Sequence, residues 1–471
     1  MPDPIFRQYV TIKPSERTAT RSVDDLRTLL LRILKAQNVQ GRLLDPDAFR
    51  VRGAPSWDWV AQIEGWRDDQ PLLPEPDEIV VPVEFTNEDL RSDFRRHFLD
   101  AVGKVVDGEL ITGIGADPGG APADHYSPTH DGAAFATRRQ ARQTLGLENL
   151  PSDFGRPAPG QPRVNVVIID QGLNKDIIPH NWGGGWAYQP NPTTGKPKRE
   201  PGEAEPKSHG TMIARNVLDI APTAVLYDFP LVPPERIADV DVFAHEAQVA
   251  YDVLLRTIAI LRLFERWRGP WIVVNAWGIV DRRSEDTLGD YTEDLNPHGH
   301  PLNKIVGRTV ADRIDVVFAA GNCGQFTTST RCGPADRGPG RSIWGANSHP
   351  AVITVGAVLS NEKWLGYSAQ GPGQRRLTRM KPDFCAPSQF RETNDAAMLN
   401  TGTSAACALT AGALAGLRTH WAPSVVTPGE MQQILTSTTR KITRAGRPSR
   451  FGAGILDVHE AWKCLSSTEW N

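Results

Sequence analysis

Cysteine is scarce in this chain of 471 residues. Five cysteines are too few for a disulfide framework, and the CxxC spacing of a zinc site does not occur. Net charge is scarce too, because 52 Lys+Arg stand against 55 Asp+Glu and leave −3. Such a balance gives no field that would recruit nucleic acid or an anionic membrane surface. No apolar run reaches the roughly 20 residues of a membrane span. The opening MPDPIFRQYV lacks the charged-then-apolar pattern of a secretion signal. These absences predict a soluble, cytoplasmic, reduced protein with no nucleic-acid or membrane partner. Cys323 and Cys332, nine residues apart, read either as a loop disulfide or, as suits such a protein better, as two free thiols, and Cys385 and Cys407, in apolar segments, as core. There is no internal repeat and no low-complexity tract.

What the chain does have is length and apolar material. Hydrophobic residues make up 39% of it, and its length predicts more than one domain. Charge divides unevenly: the first 125 residues carry −7 and the remainder +4. The stretch TGIGADPGGAPADHYSPTHD, between Ile111 and Asp131, has linker composition. The predicted organisation is an N-terminal α/β domain over 1–112, a linker over 113–135 and a larger domain over 136–471. In the first, Tyr9–Pro14 and Glu78–Phe85 read as extended. Helices are expected over Val23–Gln37, begun by Ser22, and after a cap at Thr86 or Asn87. No chemical motif occurs there.

Beyond Arg163 near-continuous apolar runs alternate with helical stretches. The runs are Val164–Asp170, Ala224–Phe229, Trp271–Ala276, Asp315–Ala320 and Ala351–Val358, and the longest helical stretch is Asp241–Trp267. Strands buried on both faces of a parallel sheet read this way, so the fold class is α/β, a three-layer parallel sheet flanked by helices. Three short motifs fall where strands end or helices begin. One strand runs into Asp170-Gln171-Gly172. KSHGTMIARNVLDIAP places His209 just ahead of a helix. NTGTSAACALTAGALAGL presents Ser404 at the start of a helix of small residues. A serine hydroxyl needs a base to become a nucleophile, histidine has a suitable pKa, and a carboxylate must orient the imidazole. VVFAAGNCG adds Asn322, whose amide can donate to an oxyanion together with the backbone N–H of Ser404.

Taken in this order, the motifs resemble those of the subtilisin-like (subtilase) serine protease family, over roughly Gly160 to Trp462. The family's order of aspartate, histidine and serine falls on Asp170, His209 and Ser404, its HGT on His209–Thr211, its AAGN on Ala319–Asn322 and its GTS on Gly402–Ser404. The resemblance implies a serine endopeptidase that cleaves peptide or protein substrates through an acyl-enzyme. It also implies that Asn275, Ala276, Trp277, Gly278 and Gly321 bind substrate, the backbone near Asn275–Gly278 pairing with it as an added strand. Trp277 is expected either to shape a side-chain pocket or to pack in the core. The departures are Gln171, where a hydroxyl residue is usual and an amide would serve, Arg215 in place of a small residue, and AACALTAG after the serine. With these departures, the alternative function is a catalytically silent regulatory or binding protein on the same fold.

By the same resemblance the N-terminal domain reads either as an inhibitory propeptide, acting within the molecule, or as a permanent accessory domain. No loop carries the oxygen-ligand pattern of a calcium site, and no metal or cofactor is expected. His298 and His300 in NPHGHP read as solvated loop histidines. Two insertions, Asn181–Lys207 and Asp281–Asn303, leave from the end of the sheet where the site would lie.

Overall fold

The structure is a computed structural model that describes residues 6–14, 22–51, 59–65, 78–116, 119–122, 136–188, 200–231, 243–282, 300–378, 380–392, 399–442 and 448–468. The N-terminal part comprises β1 (Phe6–Lys13), α1 (Val23–Ala36), β2 (Arg50–Val51), β3 (Trp59–Ile63), β4 (Ile79–Phe85), α2 (Glu88–Ala101), β5 (Val105–Val106), β6 (Glu109–Ala116) and β7 (Gly119–Pro122). Next come β8 (Ala136–Thr137), α3 (Arg138–Thr144), β9 (Asn165–Asp170), β10 (Trp182–Tyr188), α4 (His209–Ile220), β11 (Val225–Pro230) and α5 (Phe243–Leu261). The chain continues through β12 (Trp271–Asn275), β13 (Trp277–Asp281), α6 (Pro301–Ala311), β14 (Asp315–Ala319), β15 (Ile353–Val358) and β16 (Phe384–Pro387). It ends with β17 (Phe390–Arg391), β18 (Leu399–Asn400), α7 (Gly402–Arg418), α8 (Pro428–Ser437), α9 (Pro448–Phe451) and α10 (Val458–Ser467).

Local chemistry explains the two N-terminal helices. Ser22 begins α1 with a reciprocal cap, its Oγ accepting from Asp25 N while its own N–H donates to the Asp25 carboxylate. Asn87 is the cap of α2, accepting from Leu90 N at 3.1 Å. Leu26, Leu29, Leu30 and Ile33 from α1 and Phe94 and Phe98 from α2 cover one face of a five-stranded sheet, ordered β2-β4-β1-β6-β5. The stretch with linker composition departs from expectation. Its first residues finish β6, and Gly119–Pro122 forms a strand against β13. Glycine and proline content marked it as a connector, whereas main-chain pairing needs no side-chain pattern.

The large sheet runs β16-β15-β14-β12-β9-β11-β10-β3, seven parallel strands with antiparallel β3 at one edge. Its two faces are closed by separate apolar clusters, one built on α4 and α7, the other on α5 and α6. Every residue of α7 is buried. The small side chains let α4 approach: a Cβ on Gly412 would lie 3.0 Å from the Val217 carbonyl. At the far end of α7, buried Arg418 grips Asp315 of β14 through two bonds of 2.6 and 2.7 Å. That grip fixes the helix whose first turn carries Ser404.

His300 is not a solvated loop residue. It is fully buried at the start of α6, and Tyr9 Oη lies 3.1 Å from its Nε2. His298, residues 189–199 of the first insertion and residues 283–299 of the second lie outside the described residues, whereas Trp182–Tyr188, read as the start of an insertion, is strand β10 of the large sheet. Among the described residues no helix is long and apolar enough to cross a membrane.

Candidate active site

β9 delivers Asp170 to the carboxyl end of the sheet, where it is completely buried. The main-chain N–H of Gln171 donates to Asp170 Oδ1 at 2.8 Å, so backbone supplies the support assigned to the Gln171 side chain. His209 opens α4, and its ring N–H at Nδ1 donates to Asp170 Oδ1 at 2.6 Å. The helix start is held by Ser208, which accepts from Thr211 N at 3.2 Å and donates to the Gly172 carbonyl at 2.9 Å. Thr211 Oγ1 in turn accepts from Asn174 N at 2.9 Å. Gly210 is required by contact, since a Cβ there would meet the Gly172 carbonyl at 2.4 Å. Thus the SHGT run locks α4 onto the turn that follows Asp170.

Ser404 lies in the first turn of α7, where the positive end of the helix dipole favours an anion. Its hydroxyl donates to the Ala276 carbonyl at 3.1 Å. Asn322 follows β14 and is held by the neighbouring threonine. Its Oδ1 accepts from Thr403 N at 3.0 Å and from Thr403 Oγ1 at 3.1 Å, which fixes its Nδ2 as the donating end. Thr403 Oγ1 also accepts from Gly321 N at 3.0 Å. One threonine therefore ties the residue before Ser404 to both Gly321 and Asn322.

The Subtilase family model matches residues 162–454. The chain belongs to the subtilase family. Among solved structures it is similar to fervidolysin from Fervidobacterium pennivorans, a keratinolytic enzyme related to subtilisin. The identity is 14% and the TM-score 0.53, over 98% of this chain and 61% of that one. It is also similar to the epidermin leader peptide processing serine protease EpiP from Staphylococcus aureus, at 14% identity and TM-score 0.49, over 99% of this chain and 100% of the other. This chain thus spans about 61% of the length of fervidolysin. A comparison with curated protein sequences returned no match. The fold is that of a subtilisin-like protease.

In this subtilase, the five residues expected to bind substrate fall into two groups. Ala276, Trp277 and Gly278 lie where β13 begins, beside Ser404 through the Ala276 carbonyl. Asn275 and Gly321 are engaged inward: Asn275 Nδ2 donates to Tyr251 Oη at 2.7 Å, and Gly321 N to Thr403. The indole of Trp277 takes the core alternative, fully buried edge-on to Phe318 with ring centres 5.1 Å apart. Asn347 braces this wall, donating to the carbonyls of Trp277 at 2.9 Å and Ala319 at 2.8 Å. Arg215 is also explained, since it bonds Glu392 at 2.9 Å and the Pro206 carbonyl at 3.0 Å.

The expectation of two free thiols at Cys323 and Cys332 is corrected. They form a disulfide with Cα atoms 5.7 Å apart, packed against Val280. The bridge holds the loop after Asn322 beside β13, where Gly333 N donates to the Val280 carbonyl at 2.7 Å. Nine residues of spacing could not by themselves distinguish a bridge from two thiols. Cys407 is buried beneath the site, and burial pushes its thiol pKa well up, so it offers no competing nucleophile.

Two further features escaped the sequence reading. Asp228 of β11 is buried beside Asp170. Its Oδ2 accepts from Gly202 N at 2.8 Å and Leu173 N at 3.1 Å, pinning the turn after Asp170. A lone carboxylate inside the apolar run AVLYDF was the signal. The other feature is β7, which pairs antiparallel with β13 in the register Pro122 to Trp277, Ala121 to Gly278 and Gly120 to Ile279.

Proposed function

We propose that this subtilase is a serine endopeptidase using Asp170, His209 and Ser404, with its cleft held by its own strand β7. The observation that carries the reading is the buried 2.6 Å bond between His209 Nδ1 and Asp170. The carboxylate keeps the imidazole in the tautomer whose Nε2 accepts a proton. Ser404 Oγ turns from the Ala276 carbonyl toward His209 Nε2, gives up its proton and attacks the scissile carbonyl. The tetrahedral oxyanion takes hydrogen bonds from Asn322 Nδ2 and Ser404 N–H. His209 then returns the proton to the leaving amine, and water hydrolyses the acyl-enzyme by the reverse sequence.

The substrate is a peptide or protein segment in extended conformation, bound along β13 by main-chain bonds. Because β7 holds that edge, the N-terminal part restrains the enzyme from within its own chain. The Cys323–Cys332 bridge suits an oxidising compartment better than the reduced cytoplasm suggested by composition.

Ser404→Ala is the test. A fluorophosphonate should label the parent, after β7 is displaced, at Ser404 and at no other serine. The variant should lose labelling and all but a residual 10³- to 10⁴-fold acceleration over water, roughly the level left to binding and the oxyanion donors. Undiminished peptide cleavage by Ser404→Ala would remove Ser404 from the mechanism.

A further inference from the structure

β10 would be a poor place to end a sheet. Its sequence WGGGWAY carries no charge and no proline, features with which edge strands usually discourage pairing. The edge is covered by β3, contributed by the N-terminal part and running antiparallel in the register Gly184 to Ile63, Gly185 to Gln62, Trp186 to Ala61, Ala187 to Val60 and Tyr188 to Trp59. Glu64 N donates to the Gly183 carbonyl at 2.9 Å, so 64 and 183 form a hydrogen-bonded pair. Alternation along an antiparallel ladder then makes Gln62 with Gly185 and Val60 with Ala187 the next such pairs.

The strand does not arrive alone. Tyr9, Ile63 and Val80 from the N-terminal part belong to the same apolar cluster as Trp186, Tyr227 and Phe229. Tyr9 reaches His300, and Lys304 donates to the Thr112 carbonyl. The β10 edge lies apart from the cleft. β10 is three places from β12 in the sheet, about 14 Å at the usual strand spacing, and β12 leads into β13.

We infer that the β10 edge is a docking surface for β3, and that it retains the N-terminal part on the enzyme when the chain is severed beyond β7. The N-terminal part is therefore an attached component whose seat, on β10 and the apolar packing beside it, is separable from its hold on β13. β3 anchors it on β10, and among the described residues β7 is the strand that lies along β13. Opening the cleft requires movement of β7 and does not require loss of residues 6–116.

The test uses the full chain carrying Ser404→Ala, which removes self-digestion, with a site for a sequence-specific protease inserted between residues 123 and 135. After cutting, native mass spectrometry should find both fragments as one complex of the uncut mass. Amide exchange at Gly185 and Ala187, whose N–H groups face β3, should stay as slow as before cutting. Gln62→Pro removes a ladder donor and should raise the rate of fragment release roughly tenfold. Gln62→Ala, which keeps that N–H, should not. Separation of the parent fragments on cutting would overturn the inference. So would fast exchange at Gly185 and Ala187 in the cut complex, or release from Gln62→Pro at the parent rate. None of these readouts depends on catalysis, so they stand apart from the test of Ser404.

Discussion

Asp228 shows how a single buried carboxyl can serve the site without touching substrate. It sits on the strand next to Asp170, fully buried, with its Oδ2 holding two backbone N–H groups. Burial penalises its charge and, with the like charge of Asp170, raises its pKa from 3.8 to about 7, against the pull of the Gly202 and Leu173 amides. Between about pH 4 and 7 the folded protein keeps a proton that the unfolded chain has lost. The stability this contributes is complete below about pH 4 and is lost as pH rises through 7. Asp228→Asn keeps an oxygen for both amides and cannot titrate. Thermal melts from pH 5 to 8 should therefore show the variant losing less stability than the parent as pH rises. Parallel melting profiles across that range would contradict the assignment.

At the scale of elements, the proposed restraint on activity rests on β7. Its ladder with β13 occupies the edge on which an extended substrate would lie. Replacing residues 117–124 by a Gly-Ser segment of equal length should speed fluorophosphonate labelling of Ser404 at least tenfold, because a two-sided competition becomes one-sided. A synthetic peptide spanning 117–124 should slow labelling again. Equal rates with and without the strand would show that β7 does not guard the cleft. The elements that carry chemistry were the most legible in the sequence. The apolar runs ending at Asp170 and Asn275 have the composition of doubly buried strands, and the small residues behind Ser404 match a helix pressed between α4 and the sheet. β3, β7 and β10 were illegible for a shared reason. Tryptophan, glycine and proline give no period-two pattern, and the pairings of β3 with β10 and of β7 with β13 join segments more than a hundred residues apart. The Cys323–Cys332 bridge and the burial of His300 likewise depend on where distant segments arrive, which spacing alone does not encode.

For the whole molecule, the N-terminal and catalytic parts are joined through shared apolar packing rather than by a connector alone. The five-stranded N-terminal sheet has its own core of aliphatic and phenylalanine side chains. Tyr9, Ile63 and Val80 nevertheless look the other way, into the cluster beneath α5 and α6. Trp186 stands at that junction with no exposed surface, its ring 5.8 Å from both Tyr227 and Phe229. Truncating a buried tryptophan costs about 3–5 kcal/mol where the surroundings cannot close over the void. Here the void would open between β3 and β11, so Trp186→Ala should weaken both the catalytic sheet and the seat of the N-terminal part. Denaturant unfolding should show a stability loss of about that size. Limited proteolysis under native conditions should cut near residues 59–65 sooner than in the parent. Trp271→Phe, in the same cluster but away from β3, is expected to destabilise without that local increase in cutting. If Trp186→Ala unfolds early while residues 59–65 stay protected, the two parts are held together by contacts other than this cluster.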